Sequence, residues 1–597
     1  MAAVLVVGGL TFALAPSAPS PVLARSGMQP PLTLPAAQSG GRLAHYIVFQ
    51  RKANGALQPL SYRQVQLDEP LESLSEAQAR SQLAQMSRQG EMIVVTLEGA
   101  KGGDVFRTIV DLPRWVRAEF HGDKPGDAIE GQAFPVDEAV FVVRVPAIAG
   151  TTLVVADERA AEPGRFDVAG LVAHTPQVAL DALAAQVEDL RITGSSANRV
   201  DWLILGDGYT ATQHAQFIND VQNLVATFFE ISPYAEYANY INVRALFVPS
   251  AEAGADHPPY VAGCSQQDAG YSCCGDWSMQ ADPLNGTFVN TAFSSSYCRQ
   301  NLHRLMGVDS SAVYAAAAAA PNYDQIMVLV NDKTYGGAGG TFSIVSMHEQ
   351  SVQVAQHEYG HSFARLADEY ESPYPGYWLC SDTSSGWPCE ANVTDVFTRS
   401  QIKWLPWISP STPIPTVPQW GAVYSRTVGL FEGARYQSAG LYRSGQNCIM
   451  RNLGAPFCRV PAQAYVLRLY QGGWGTPWDG IRLIEPGSAQ PRASVICVTH
   501  PATLTLSAAI LQPTGSPSVA ISWLIDNAPV PGAVGAVFTY TTSAARQDLV
   551  RITLRVEDRT ALVHPAMAGS ALVSTHTWIV AQRQLFFPSI ASLLSRP

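Results

Sequence analysis

The chain has 597 residues, too many for one hydrophobic core, so several domains are expected. It is 47% hydrophobic and only 15% charged, which excludes general disorder. A net charge of −11 with no long basic run argues against nucleic acid as a partner, because phosphate binding needs clustered Lys and Arg.

The first residues read MAAVLVVGGLTFALAPSAPSPVLARSG. The apolar run from Ala2 to Ala15 has the length of a signal-peptide core and is too short to span a bilayer. Val22-Leu23-Ala24 supplies a cleavage pattern, although no basic residue precedes the run. Residues 1–24 are therefore expected to be a signal peptide and the chain to be secreted or held at the cell surface. Residues 25–42 are the Pro-, Gly- and Ser-rich linker that follows. No later run of 18 apolar residues occurs, so no membrane span is expected in the mature chain.

Residues 43–157 carry short β-rich runs (HYIVFQR, EMIVVTLEG, VFRTIVDLP, AVFVVRVP, TTLVVAD) separated by turn residues, the pattern of a β-sandwich. Residues 158–197 read as a linker with one helix, VALDALAAQVEDL. From 198 to 478 strands alternate with helices. RVDWLILGDG is a buried strand, and TATQHAQFINDVQNLVATFFE is an amphipathic helix capped by Thr210 or Thr212. Further strands are INVRALFVPS, YDQIMVLVND and TFSIVSM, and a helix, SSAVYAAAAAAP, is stopped by Pro321. This order predicts an α/β core with parallel strands. Residues 490–585 return to strands, with a Trp inside VAISWLID, as in an immunoglobulin-like β domain. The fold class expected is thus multidomain, α/β and β.

Nine cysteines suit export. Cys264 lies near Cys273 and Cys274, Cys380 near Cys389, and Cys448 near Cys458, while Cys298 and Cys497 stand apart. Short-loop disulfides such as 380–389 and 448–458 are expected, and an odd count leaves at least one thiol over.

The chemistry is concentrated in QHEYGHSFARLADEY, residues 356–370. On a helix His357 and His361 share a face and both imidazoles reach one metal ion. Glu358 points about 100° around the axis and contacts a water rather than the ion. Zinc fits such donors and acidifies a water, whose proton Glu358 would take as general base and pass to the departing amine. Val352, Ala355, Tyr359, Phe363 and Leu366 form the buried side of this helix. For the third ligand, Asp368 stands first. A continued helix would carry it about 10 Å beyond His361, so the helix must loosen near Ala364–Leu366. Glu369 and the distant Glu432, in GLFEGARY, remain alternatives.

Together, HEYGHSFARLADEY, LILGDGYTATQ, VNDKTYGGAGG, GLFEGARY and NCIMRNLGAPFC closely resemble the IgA peptidase family of zinc metallopeptidases, over roughly residues 198–475. The resemblance implies a metzincin-like α/β core with Zn2+ held by His357 and His361, Glu358 as catalyst, and Met450 in the Met-turn beneath the ion. It also implies a protein or peptide substrate. Metzincins place a Gly and a His or Asp where this chain has Ala364 and Ala367, which is why Asp368 is needed. An edge strand before the active-site helix pairs with substrate in such enzymes, so Gly336, Gly337, Gly339 and Gly340 are expected to bind the substrate backbone, with GGTFSIVSM supplying the strand. Tyr370, Tyr436, Arg443 and Arg451 are the candidates for steadying an oxyanion. The competing function is surface binding or adhesion on a vestigial peptidase core. Retention of Glu358 beside both histidines speaks for the enzyme.

Overall fold

The computed structural model describes residues 42–582 apart from 72, 81–90, 113–114, 121–129, 158–161, 180–184, 265–271, 341, 372–378, 384–387, 419–425, 473–479, 516–518 and 544–548. The signal-peptide segment and all but the last residue of the linker expected to follow it lie outside the described residues. The fold is mixed α/β, with many sheets and few helices.

Strands β1 (Arg42–Arg51), β2 (Leu57–Leu67), β3 (Glu91–Glu98), β4 (Asp104–Leu112), β5 (Trp115–Phe120), β6 (Glu130–Pro135), β7 (Ala139–Pro146), β8 (Thr152–Asp157) and β9 (Gly164–Asp167) come first. They form one sheet in the order β2-β1-β7, a second in the order β4-β3-β8-β9, and the β5–β6 hairpin. The two-residue strand period explains how these layers stack. Ile47 and Phe49 of β1 meet Ile93, Val95, Leu153 and Val155 of the second sheet in one core. Tyr46 and Val48, on the other face, pack with Leu203, Leu205 and Val328 of the chain's largest sheet. The first sheet is therefore covered on both faces.

After the short helix α1 (Val168–His174), β10 (Gln186–Arg191) takes up the last five residues, 186–190, of the segment read as a helix, of which residues 180–184 lie outside the described residues. Its Leu and Val residues suit either state, and antiparallel pairing with β12 (Ile241–Phe247) decides the outcome. With β11 (Val200–Asp207), β15 (Gln325–Val330), β16 (Gly337–Ala338) and β17 (Ser343–Ser346) they build a six-stranded sheet in the order β10-β12-β11-β15-β17-β16. The pairs β11–β12, β11–β15 and β15–β17 are parallel. Every residue of β11 and β15 is buried, as parallel strands covered on both faces must be. Helices α2 (His214–Phe228) and α4 (Ser351–Ser362) cover one face and α3 (Ser310–Ala317) the other. Thr210 opens the turn before α2, and its N–H donates to Gln213 Oε1 at 2.9 Å. Asp309 caps α3 through the Ser311 N–H.

The small pair β13 (Tyr260–Val261) and β14 (Cys273–Cys274) lies in the loops before α3. Strands β18 (Val393–Thr394), β19 (Phe431–Ala434) and β20 (Gln437–Arg443) form a sheet in the order β18-β20-β19, followed by α5 (Arg459–Gln471). The last described residues form two sheets: β21-β27-β26-β23-β24, from β21 (Val495–Val498), β23 (Val519–Ile525), β24 (Ala528–Pro529), β26 (Val550–Asp558) and β27 (Val573–Gln582), and β22-β25, from β22 (Thr503–Ser507) and β25 (Val537–Thr541). Trp523 and Trp578 stack at 5.7 Å, in the same core that holds Tyr465 and Leu469 of α5. Disulfides join Cys264–Cys274, Cys273–Cys298 and Cys380–Cys389. Cys298, which sequence spacing left apart, is thus bonded. The expected 448–458 bond is corrected: both are thiols, with the Cys458 N–H donating to Cys448 Sγ at 3.1 Å. Among the described residues no helix is long and apolar enough to cross a membrane.

Candidate active site

Helix α4 ends at Ser362. Arg365 then turns left-handed, at φ +55°, while its N–H bonds the His361 carbonyl at 3.1 Å and the Leu366 N–H bonds Gly360. This helix end, an αL cap carried by an arginine instead of the usual glycine, reverses the chain. The loosening demanded by spacing occurs here, and Asp368 folds back onto the histidines.

His361 Nδ1 donates to the Leu366 carbonyl at 2.7 Å, and His357 Nδ1 to the Ile449 carbonyl at 2.8 Å. A carbonyl only accepts, so each ring carries its hydrogen on Nδ1 and turns the Nε2 lone pair inward. The two Nε2 atoms stand 3.0 Å apart, and Asp368 Oδ1 lies 3.0 Å from His361 Nε2 and 3.4 Å from His357 Nε2. All three side chains are buried. Three buried lone-pair donors facing one another repel unless a cation lies between them, and two imidazoles with one carboxylate suit zinc. The donor set therefore fits the ion. Tyr436 supports it by donating its hydroxyl to Asp368 Oδ2 at 2.5 Å.

Neither alternative third ligand joins this set. Glu369 is buried, but its Oε1 accepts from Asn392 Nδ2 at 3.0 Å, and its carboxylate lies beside the Cys448 and Cys458 thiols. Burial raises its pKa to about 7. Glu432 is exposed and accepts from the Gly440 N–H within the β19–β20 hairpin.

Met450 is buried beneath the helix: a Cβ added to Gly360 would stand 2.8 Å from its sulfur. Its neighbour Ile449 supplies the carbonyl that orients His357, so this one loop packs the helix and aims a ligand. Sequence reasoning missed that carbonyl and the Leu366 one, since backbone acceptors leave no trace in residue type. Glu358 is buried, and its carboxylate lies against Gly339, where a Cβ would overlap Oε2.

The other glycines are placed differently. A Cβ on Gly336 would meet the Tyr297 ring at 2.5 Å, and one on Gly337 would meet Val354 Cγ1 at 3.0 Å. The Gly336 carbonyl accepts from Ser346, while Gly337 donates to Arg304 and accepts from Met306. The outermost strand is β16, Gly337–Ala338, and the SIVS segment expected at the edge lies inside it as β17. Among the oxyanion candidates, Arg443 donates to the Glu432 and Gly433 carbonyls and Arg451 to the Glu369 carbonyl and Glu371. The Tyr370 hydroxyl stands 3.2 Å from His357 Nε2, at the ligand cluster itself.

No curated protein matches the chain. Solved structures similar to it include an FMN-binding beta-glucuronidase from Facaelibacterium prausnitzii L2-6, at 9% identity over 90% of this chain and 73% of that one, with a TM-score of 0.11. Another is a Parabacteroides merdae beta-glucuronidase with glycerol in its active site, at 7% identity over 83% of this chain and 60% of that one, with a TM-score of 0.12. Scores that low carry no argument. The family profile described as IgA Peptidase M64 matches residues 189–276, 275–423 and 419–467, which include the histidine helix, Asp368 and the Met450 loop. Through this region, residues 189–467, the chain is similar to the IgA Peptidase M64 family, a family of peptidases.

Proposed function

We propose that the chain is an exported zinc endopeptidase with a metzincin-like core, in which His357, His361 and Asp368 hold the ion and Glu358 is general base and acid. The observation that carries this reading is the convergence of two Nε2 atoms and one carboxylate oxygen, with both Nδ1 hydrogens tied to backbone carbonyls. Zinc bound there supplies Lewis acidity and makes a water a nucleophile near neutral pH. Glu358, adjacent to His357 and pressed against Gly339, takes the proton from the attacking water and returns it to the leaving amine. Tyr370 is the group best placed to donate to the developing oxyanion. Within this reading residues 1–24 are a signal peptide, 43–157 a β-sandwich, 158–197 a connecting segment, 198–478 the catalytic domain and 490–585 an immunoglobulin-like domain. Immunoglobulin A stands in the family's name; the substrate proposed here is the wider class of protein and peptide chains.

The test joins elemental analysis to proteolysis of casein. Wild type should carry about one zinc per chain and lose activity to a chelator. Glu358→Gln should keep the metal and lose turnover by at least roughly a thousandfold, and Asp368→Ala should lose the metal. Chelator-resistant cleavage, or full activity in Glu358→Gln, sinks the mechanism.

A further inference from the structure

We propose that the cavity between the β5–β6 hairpin and the end of the six-stranded sheet is a subsite for one large apolar side chain of the peptide substrate; this rests on the peptidase reading above. The cavity has a volume of about 440 Å³. Val116 and Phe134, which are cross-strand partners in the hairpin, form one wall. Leu305, Met306, Tyr314 and Phe342 form the others, and the exposed Asp137 and Glu138 and the half-buried Arg299 also line it.

Its connection to Glu358 runs through a single strand. A Cβ on Gly337 would touch Val354 of α4, and one on Gly339 would overlap the Glu358 carboxylate, so these two positions face the catalytic side. Ala338, between them, packs in the opposite core, and the chain at 338–340 (Ala338, Gly339 and Gly340) lines the cavity. One strand thus separates the cavity from Glu358. The backbone edge at Gly337 is already closed by Arg304 and Met306, at 3.1 and 3.2 Å, which leaves 338–340 as the stretch for a substrate strand. An extended peptide laid there turns alternate side chains to opposite faces. When one side chain faces Glu358, its neighbour enters the cavity. The lining selects an apolar occupant the size of Phe, Leu, Met or Tyr.

In this arrangement the N-terminal hairpin determines specificity, a role that nothing in the HEYGH region predicts. The experiment uses the full chain with zinc and a peptide library made by digesting a whole proteome, with cut sites read by mass spectrometry. Large apolar residues should be enriched at one fixed position beside the scissile bond. Val116→Trp, which fills the cavity, should lower kcat/KM for a peptide with Phe at that position by roughly 10- to 100-fold. The same variant should lower kcat/KM for the matching Ala peptide much less than for the Phe peptide, and that contrast separates a subsite from general damage. Phe134→Ala, which enlarges the cavity, should shift the preference toward Trp and provides the test if Val116→Trp does not fold. Cleavage with no apolar preference, or wild-type profiles in both variants, overturns the subsite and leaves the peptidase reading standing. A chain that cuts nothing in the presence of zinc overturns both.

Discussion

Glycine 339 and tyrosine 436 show how much of the site depends on single atoms outside the ligand set. Gly339 leaves room for the Glu358 carboxylate, and a methyl group there would force the carboxylate aside while the ligands stay put. A displacement on the order of 1 Å at a catalytic group costs about 100-fold in rate. Gly339→Ala should therefore lower kcat by about that factor, with zinc content and melting temperature unchanged. A variant with wild-type kcat would show that Glu358 does not work from this position. Tyr436 would instead act on the proposed metal site, through its 2.5 Å hydrogen bond to Asp368. Tyr436→Phe should weaken zinc binding by about 10- to 100-fold in a competition titration, as loss of a ligand's supporting hydrogen bond does elsewhere. Both residues carry signals visible only once the partner is placed. Nothing in GGAGG says which glycine meets Glu358.

At the scale of elements, period decided what was legible. The apolar run in HYIVFQR, the buried runs of β11 and β15, and the apolar positions Ala355 and Tyr359 of α4 each name their own secondary structure, and the structure has them. Phe363 and Leu366, read as the same helix face, are instead buried beyond the helix end at Ser362. The return of Asp368 was legible as a geometric necessity, but its means was not: Arg365 occupies a left-handed position with no glycine to announce it. The end of VALDALAAQVEDL misled because the composition of the run favours helix, whereas pairing with β12 imposes a strand from Gln186. The loops before β15 hide a further device. His257 is buried between Asp282, at 2.7 Å, and Asp332, at 3.1 Å, and Asp282 also bonds His303 at 2.8 Å. Burial alone would lower the His257 pKa, but hydrogen bonds to Asp332 and Asp282 outweigh it and hold the value above 6.5. A raised folded value means that the stabilisation is complete below about pH 6.5 and is lost as pH climbs through the folded value. The melting temperature should fall from pH 6 to pH 9, and His257→Gln should flatten that slope while costing about 3 kcal/mol at pH 6. An unchanged slope in the variant would place the pH sensitivity elsewhere.

For the whole molecule, the question is whether the N-terminal sheets can be removed, as a propeptide would be. Their first sheet is apolar on both faces, and the outer face is what packs on the peptidase region. Tyr46, Val48, Val65 and Leu67 are each at most 4% exposed there. Tyr46 also donates to the Tyr314 carbonyl at 2.7 Å, and Arg144 to the Pro321 carbonyl at 2.6 Å. Burying four such side chains is worth about 6–12 kcal/mol, comparable with the entire stability of an ordinary domain. The described residues, 42–582, also belong to one compact unit, with the C-terminal tryptophans in the same core as α5. Deleting residues 42–157 should therefore leave α3 and the six-stranded sheet with an exposed apolar face, giving an aggregating chain that binds no zinc. The intact chain should instead melt in a single calorimetric transition. A soluble, zinc-loaded product lacking these strands would show that the N-terminal region is a detachable cover, and the hairpin could then form no permanent wall of the substrate cleft.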